Sequence, residues 1–134
     1  MSQFFSWNSG YDLGVKAMNN EHRTLIDLMN QLYEAHGSGS DFEELKTIFL
    51  KLEAYTLTHF SDEEKFMAEI NFPDLEVHKL IHADLLKKLE KHKQEFLTKK
   101  ELGPSLFDFL KMWLSAHIRG IDMKYADFDR SRAR

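Results

Sequence analysis

Five histidines and two carboxylates stand at spacings that could build a metal site: His22, His59 with Glu63, His78 with His82, and His117 with Asp122. Neutral imidazoles offer lone pairs and carboxylates offer anionic oxygens, a combination that holds transition-metal ions at neutral pH. The chain has no cysteine, which removes thiolate zinc sites, iron–sulfur clusters, disulfide scaffolds and thiol nucleophiles together. A nitrogen-rich, sulfur-free set suits iron, copper, zinc or nickel rather than magnesium or calcium. Seven donors exceed what one tetrahedral zinc ion takes, whereas two ions bridged by Glu63 and Asp122 fit the count.

The segment VHKLIH, residues 77–82, shows why these side chains need such partners. Residues four apart on a helix lie one above the other, so a helix that buries Val77 and Ile81 also turns His78 and His82 inward. Each buried neutral imidazole carries an acceptor nitrogen that must be paired, and the same stripes hold few Ser, Asn or Tyr donors. A metal satisfies all those lone pairs at once. The ferritin-like alternative, built on Glu-x-x-His pairs, is not available, because no Glu-x-x-His occurs in the chain.

The elements that must position these residues read as helices. After an aromatic N-terminal arm (residues 1–18), the first amphipathic segment begins near Asn19-Asn20, carries His22, Leu25, Met29, Leu32 and His36, and stops at GSGS, 37–40. The second opens with Asp41 and Glu44 in capping-box spacing, carries Leu45, Ile48, Leu52, Thr56, His59, Glu63 and Phe66, and ends at NFPD, 71–74. The third runs from Asp74 to Gly103, and the fourth enters at Pro104-Ser105 and carries Leu106, Phe109, Leu110, Trp113 and His117. No β-branched alternating run interrupts them. Short loops make successive helices antiparallel, which predicts an all-α, up-down-up-down four-helix bundle in one domain, residues 1–134.

That topology brings the histidines to one level. Measured inward from the end of the bundle that carries the loops at 37–40 and 99–103, His22 lies 14 residues from His36 (36 − 22), and His59 lies 18 from Asp41 (59 − 41). His82 lies 16 from Thr98 (98 − 82) and His117 lies 13 from Pro104 (117 − 104). At about 1.5 Å per residue the four agree to within about two turns. Glu63 points into the same space, one turn beyond His59. Asp122 does not follow from a regular helix, where it sits about 140° around from His117. A π-bulge at Arg119-Gly120 would close the five-residue step onto one face, and such bulges occur mostly at functional sites.

The remaining features are bland. A net charge of −4 argues against a nucleic-acid binder that lives on phosphate contacts. No apolar run reaches the roughly 18–20 residues of a membrane span, and MSQFFSWNSGYDLG lacks a signal peptide's basic start and apolar middle, so the cytoplasm is the expected location. His36 and His92 share stripes with His22 and His78 but stand 14 residues away (36 − 22; 92 − 78), about 21 Å along the helix. They read as surface or capping residues. KKLEKHKQEFLTKK (87–100) reads as a solvated face, and the terminal RSRAR as a frayed tail.

Taken in order, His22, then His59-Phe60-x-x-Glu63-Glu64, then His78-x-x-x-His82, then Trp113-Leu114-x-x-His117-Ile118-x-x-x-Asp122, resemble the hemerythrin family, in particular its single-domain bacterial members. The match runs from Trp7 to about Ala126. The resemblance implies a non-heme di-iron centre with an oxo or hydroxo bridge that binds dioxygen reversibly. In it His78, His82 and His117 hold one iron, His22 and His59 hold the other, and Glu63 and Asp122 bridge them. The first iron then has six donors and the second five, leaving one position for dioxygen. Trp113 and Leu114 are placed to wall that pocket, and Leu114 resembles the family's pocket leucine. The expected role is oxygen storage, delivery to an oxygen-using enzyme, or sensing, by a monomer with neither nucleic acid nor membrane as partner. Two rival readings are an enzyme turning over peroxide or nitric oxide and an iron or zinc reservoir. An enzyme should present a proton donor or redox-active side chain beside the open position, and the Leu114 neighbourhood offers none. The chain therefore reads as a binding protein, not an enzyme.

Overall fold

The computed structural model describes Phe5, Trp7 and residues 9–132; residues 133–134 of the expected tail, and residues 1–4, 6 and 8 of the arm, lie outside the described residues. The four long helices follow the predicted order: α1 (Lys16–Gly37), α2 (Phe42–Glu69), α3 (Leu75–Lys99) and α4 (Pro104–Ala116). Alpha-helical geometry then gives way to a π turn (His117–Asp122) before the chain resumes as α5 (Met123–Arg132). α4, the π turn and α5 form one continuous fourth rod of an up-down-up-down bundle. Among the described residues no helix is long and apolar enough to cross a membrane.

Local chemistry sets most boundaries. Asp41 caps α2 by accepting the Glu44 backbone N–H on Oδ1 at 2.9 Å, which satisfies a donor that the first helical turn leaves orphaned. Pro104 occupies the start of α4, where its missing N–H costs nothing. α3 stops at Lys99 rather than at Gly103, because Lys100 adopts the left-handed conformation, φ 58°, and closes the last turn onto the Phe96 carbonyl.

α1 starts at Lys16, so the arm ends at residue 15 and not at 18. Asn19, which with Asn20 could have capped a helix starting there, is used differently: its Oδ1 accepts the Leu13 backbone N–H at 3.0 Å and its amide donates to Asp12 at 2.8 Å. It ties the arm to the helix instead of starting the helix. Farther out, Asn30 exchanges two 2.8 Å hydrogen bonds with the backbone of Phe5. Phe5, Tyr11 and Leu13 are buried by the docking. The C-terminal residues Arg130–Arg132 are helical rather than frayed, because Arg130 Nη1 donates to the Leu13 carbonyl at 2.6 Å. Arm and α5 therefore close over the same end of the bundle.

The core changes character along its length. At the end carrying the 37–40 and 100–103 loops it is aromatic, with the Phe96 ring 5.2 Å from Phe42 and 5.6 Å from Phe49. Leu52, Leu89 and Leu110 continue it inward. At the other end, the buried stripes of α1, α2, α3 and the fourth rod all turn to histidine and carboxylate. Val77 is the exception to the sequence pattern. It is 56% exposed, because the α3 face that turns inward is centred on His78 and His82, and Val77 sits one residue, about 100°, away from it.

Candidate metal centre

All seven polar residues singled out by spacing converge. His22, His59, Glu63, His78, His82, His117 and Asp122 are each at most 6% exposed, and Glu63 and Asp122 are fully enclosed. They fall into two overlapping groups whose ligand atoms lie within 4.8 Å of one another: Glu63, His78, His82, His117 and Asp122, and His22, His59, Glu63 and Asp122. The two carboxylates belong to both groups. Asp122 Oδ1 lies 3.0 Å from His78 Nε2 and 3.0 Å from His117 Nε2, while Oδ2 lies 3.1 Å from His22 Nε2. Glu63 Oε1 lies 3.1 Å from His82 Nε2 and 3.4 Å from His59 Nε2, and Oε2 lies 3.3 Å from His22 Nε2.

The π turn makes this possible. With His117 and Asp122 both in it, the five-residue step closes onto one face and Asp122 is buried, as the spacing required. Gly120 and Arg119 lie on its exposed outer side. Glycine there lowers the local preference for a regular α-helix, and the buried contacts of Asp122 and Tyr125 hold the wider turn.

These atoms face one another without hydrogen bonds. His22 Nε2, His78 Nε2, His82 Nε2, His117 Nε2, Glu63 Oε1 and both Asp122 oxygens are buried and have no hydrogen-bond partner. So many orphaned lone pairs in one place would be costly in a finished core. The spacing is that of neighbouring donors on a metal: cis ligands on an octahedral ion with bonds of about 2.1 Å lie about 3.0 Å apart. The donor set, its burial and its distances fit a transition-metal site.

A second layer holds two of the rings. His59 Nδ1 lies 2.7 Å from Glu21 Oε1, and His82 Nδ1 lies 2.8 Å from Glu64 Oε2. Carboxylates so placed hold the Nδ1–H tautomer and present Nε2 as the donor to a metal. Tyr125 donates from its hydroxyl to Glu63 Oε2 at 2.7 Å, and the Phe60 ring stacks on His82 with centroids 3.8 Å apart. Sequence reasoning assigned none of these a role. Glu21 and Glu64 adjoin His22 and Glu63 in sequence, so they turn about 100° to the edge of the helix, where the neighbouring ring's Nδ1 emerges. Tyr125 was within reach of the pattern, three residues after Asp122.

Charge follows the geometry. Burial opposes an imidazolium at His59, but the Glu63 charge and the Glu21 hydrogen bond override it and push the pKa up to about 10. His22 and His117 are likewise raised against burial, chiefly by Asp122. Glu63 is held well below the usual carboxylate range, because His59, His22 and His82 together outweigh burial, and Asp122 is lowered despite burial and the Glu63 charge, by His117 and His22. Without metal the carboxylates thus bind protons through the imidazoles, and a metal must displace those protons to take the same lone pairs.

Trp113 and Leu114, 5% and 1% exposed, line a narrow cleft with Leu25, Phe60 and Ile118, and His22, His59, His117 and Asp122 form its polar side. Leu25, Phe60 and Ile118 complete an apolar wall of which spacing had picked out only two members. His36 and His92 lie apart from the centre, the first tilted against Phe107 at 5.3 Å and the second stacked on Phe109 at 5.0 Å.

Fold and site together define a four-helix-bundle protein with a buried His/Glu/Asp cation site. Residues 13–128 match the hemerythrin HHE cation binding domain. The chain belongs to the hemerythrin family. It is similar to a bacteriohemerythrin of Clostridium acetobutylicum, with 30% identity over 92% of this chain and 99% of that one. A hemerythrin-like protein of Naegleria gruberi is 34% identical over 90% of both chains. A bacteriohemerythrin of Stenotrophomonas maltophilia is 29% identical over 90% of this chain and 78% of its own length. The fold superposes on a crystal structure of a leucine-to-alanine variant of hemerythrin with a TM-score of 0.86, at 23% identity, covering 94% of this chain and 97% of that one.

Proposed function

We propose that this protein binds dioxygen reversibly at a carboxylate-bridged pair of iron ions, for storage, delivery to an oxygen-using enzyme, or sensing. The observation that carries the reading is the sharing of Glu63 and Asp122 between two donor groups of unequal size. His78, His82 and His117 would hold one iron, His22 and His59 the other, and the two carboxylates would span both. His22 and His59 both line the narrow cleft beside Leu25, Trp113 and Leu114, joined there by only His117 of the other three imidazoles, so the position left open on their iron would face apolar side chains that must shift to admit a diatomic. When bound, the two ferrous ions supply the electrons that dioxygen takes up and gives back.

The chain's own residues make the exchange reversible. Glu21 and Glu64 hold His59 and His82 with Nε2 inward, and the Tyr125 hydroxyl keeps Glu63 aligned. The apolar wall offers no proton donor, which protects a reduced oxygen species from protonation and loss. Two ferrous charges against two carboxylates and one hydroxide leave about +1 among neutral rings, a charge an interior of this kind can hold. The same wall supports a binding protein over an enzyme. A monomer outside the membrane, free of nucleic acid, fits the net charge of −4.

Anaerobic reconstitution with ferrous iron, then cycles of oxygen and argon, tests the proposal. Two irons per chain and a visible absorption band that appears and disappears over repeated cycles are expected. One zinc per chain as the tightest loading, or immediate irreversible oxidation with consumption of added peroxide, would overturn it.

A further inference from the structure

A second space lies against the histidine cluster and shares no lining residue with the cleft beside Trp113 and Leu114. It is a depression of about 40 Å³ where α3, the turn before it and the π turn meet, bounded by Phe72, Val77, Ile81 and Ile121 with His78, Asp74 and Lys124. Its size admits a few atoms at most. Most of its exposed lining is apolar, with the exposed Asp74 and Lys124 its charged members, so ordered water gains few partners inside it. Val77 at its rim is 56% exposed and the neighbouring Leu80 is 71% exposed, although both stand on a helix whose other outward positions are mostly charged. The floor is the His78 ring, buried to 3%, with Nε2 turned to Asp122. One imidazole thus separates the depression from the polar cluster.

We propose that this depression is a docking site for a small apolar gas, dioxygen under working conditions, and an access point to the buried centre through the face formed by α3 and the π turn. The proposal rests on the dioxygen-binding reading for the identity of the gas, but the site itself does not require iron. A polar solute is disfavoured by the lining, and a larger apolar one by the volume. Gas that docks there is held by dispersion contacts with the methyl groups of Val77, Ile81 and Ile121 and the ring of Phe72. Its way inward runs past the edge of His78, between Ile81 and Ile121, both of which are only partly packed.

Xenon is the probe, with the iron-free full-length chain carrying labelled Ile, Leu and Val methyls for NMR. Expected are saturable xenon-dependent shifts at Val77, Ile81 and Ile121, and none at Leu57, an exposed control on α2. Val77→Trp, at an exposed position, should lay its indole over the depression and abolish those shifts. Shifts confined to Leu25, Leu114 and Ile118, or equal non-saturable shifts at Leu57, would overturn the site. In the iron-loaded protein, Val77→Trp should slow dioxygen association and dissociation together by at least threefold, because an obstructed route changes both rates and leaves the affinity alone. Unchanged rates, or a changed affinity, would overturn the access role. A protein that fails to bind oxygen reversibly yet shows the xenon shifts would refute the functional reading and leave the gas site standing.

Discussion

The two ends of the bundle use the same residue type to opposite purposes. At one end His92 stacks on Phe109 and His36 leans at a tilt against Phe107; burial, with the Lys91 charge, lowers the His92 pKa, and the core beside it is phenylalanine and leucine. At the other end five imidazoles face two carboxylates, and the Nε2 atoms of His22, His78, His82 and His117 are left without hydrogen bonds. A histidine can serve as an aromatic side chain at the margin of a core or as a donor within it, and what decides is the company on the other three helices. The far end is finished by packing. The near end is a core that its own side chains do not complete.

The sharpest way to break this comparison is to exchange losses between the ends. His82→Ala should remove one iron of the two and abolish the reversible colour change, whereas His92→Ala should leave iron content and spectrum as they are. Iron analysis and absorption spectra of both variants decide. A smaller effect, now on stability, belongs to the packed end: Phe49→Ala should cost about 3–5 kcal/mol in urea unfolding of the iron-free protein, from lost burial and the cavity left behind. Phe49 is 1% exposed and stacked on Phe96. Smaller again is Tyr125→Phe, which takes the donor from Glu63 and should cost about 1.5–3 kcal/mol as the loss of a buried bond to a charged group. That loss should be read in the iron-free protein, with faster release of iron to a chelator in the loaded one.

The gentlest probe is pH. In the iron-free protein the His59 pKa is raised from 6.5 to about 10. The stabilisation is therefore fully present below pH 6.5 and is lost as pH rises through about 10. Glu63 and Asp122 are lowered, so their share is present above the ordinary carboxylate range and lost as pH falls below it. The unfolding temperature of the iron-free chain should thus decline from pH 6.5 toward pH 10. The iron-loaded chain should lack that alkaline decline, because its imidazoles are already neutral. Thermal scans with and without chelator across that range distinguish the two; identical profiles would show that the near end is an ordinary salt-bridged core.

Much of this was legible in the sequence because it rests on period and on count. The helix order, the Asp41 cap and the level of the histidines follow from apolar stripes and loop positions, and the burial of Asp122 follows from a five-residue step that only a wider turn can close. The failures have specific causes. Lys100 ends α3 early through a left-handed conformation that its residue type does not announce. Asn19 has the chemistry of a cap and spends it on the arm. Val77 is apolar and looked like core, but the helix face had already been claimed by two histidines. Glu21 was not singled out, and Glu64 stood in the motif without a role, because their roles depend on a neighbouring helix and no single-chain periodicity records which ring stands opposite.

The π turn carries one more residue than an α-helical segment of equal reach, and that surplus is a form of information apart from chemistry. Removing any one residue from 118–121 would leave all seven polar residues in the chain and would still change how the last rod is phased against the other three. The segments that follow, Tyr125 on Glu63 and Arg130 on Leu13, are set by the same count. A search of sequences by residue identity alone would accept such a deletion, and one that measured the interval between His117 and Asp122 would not.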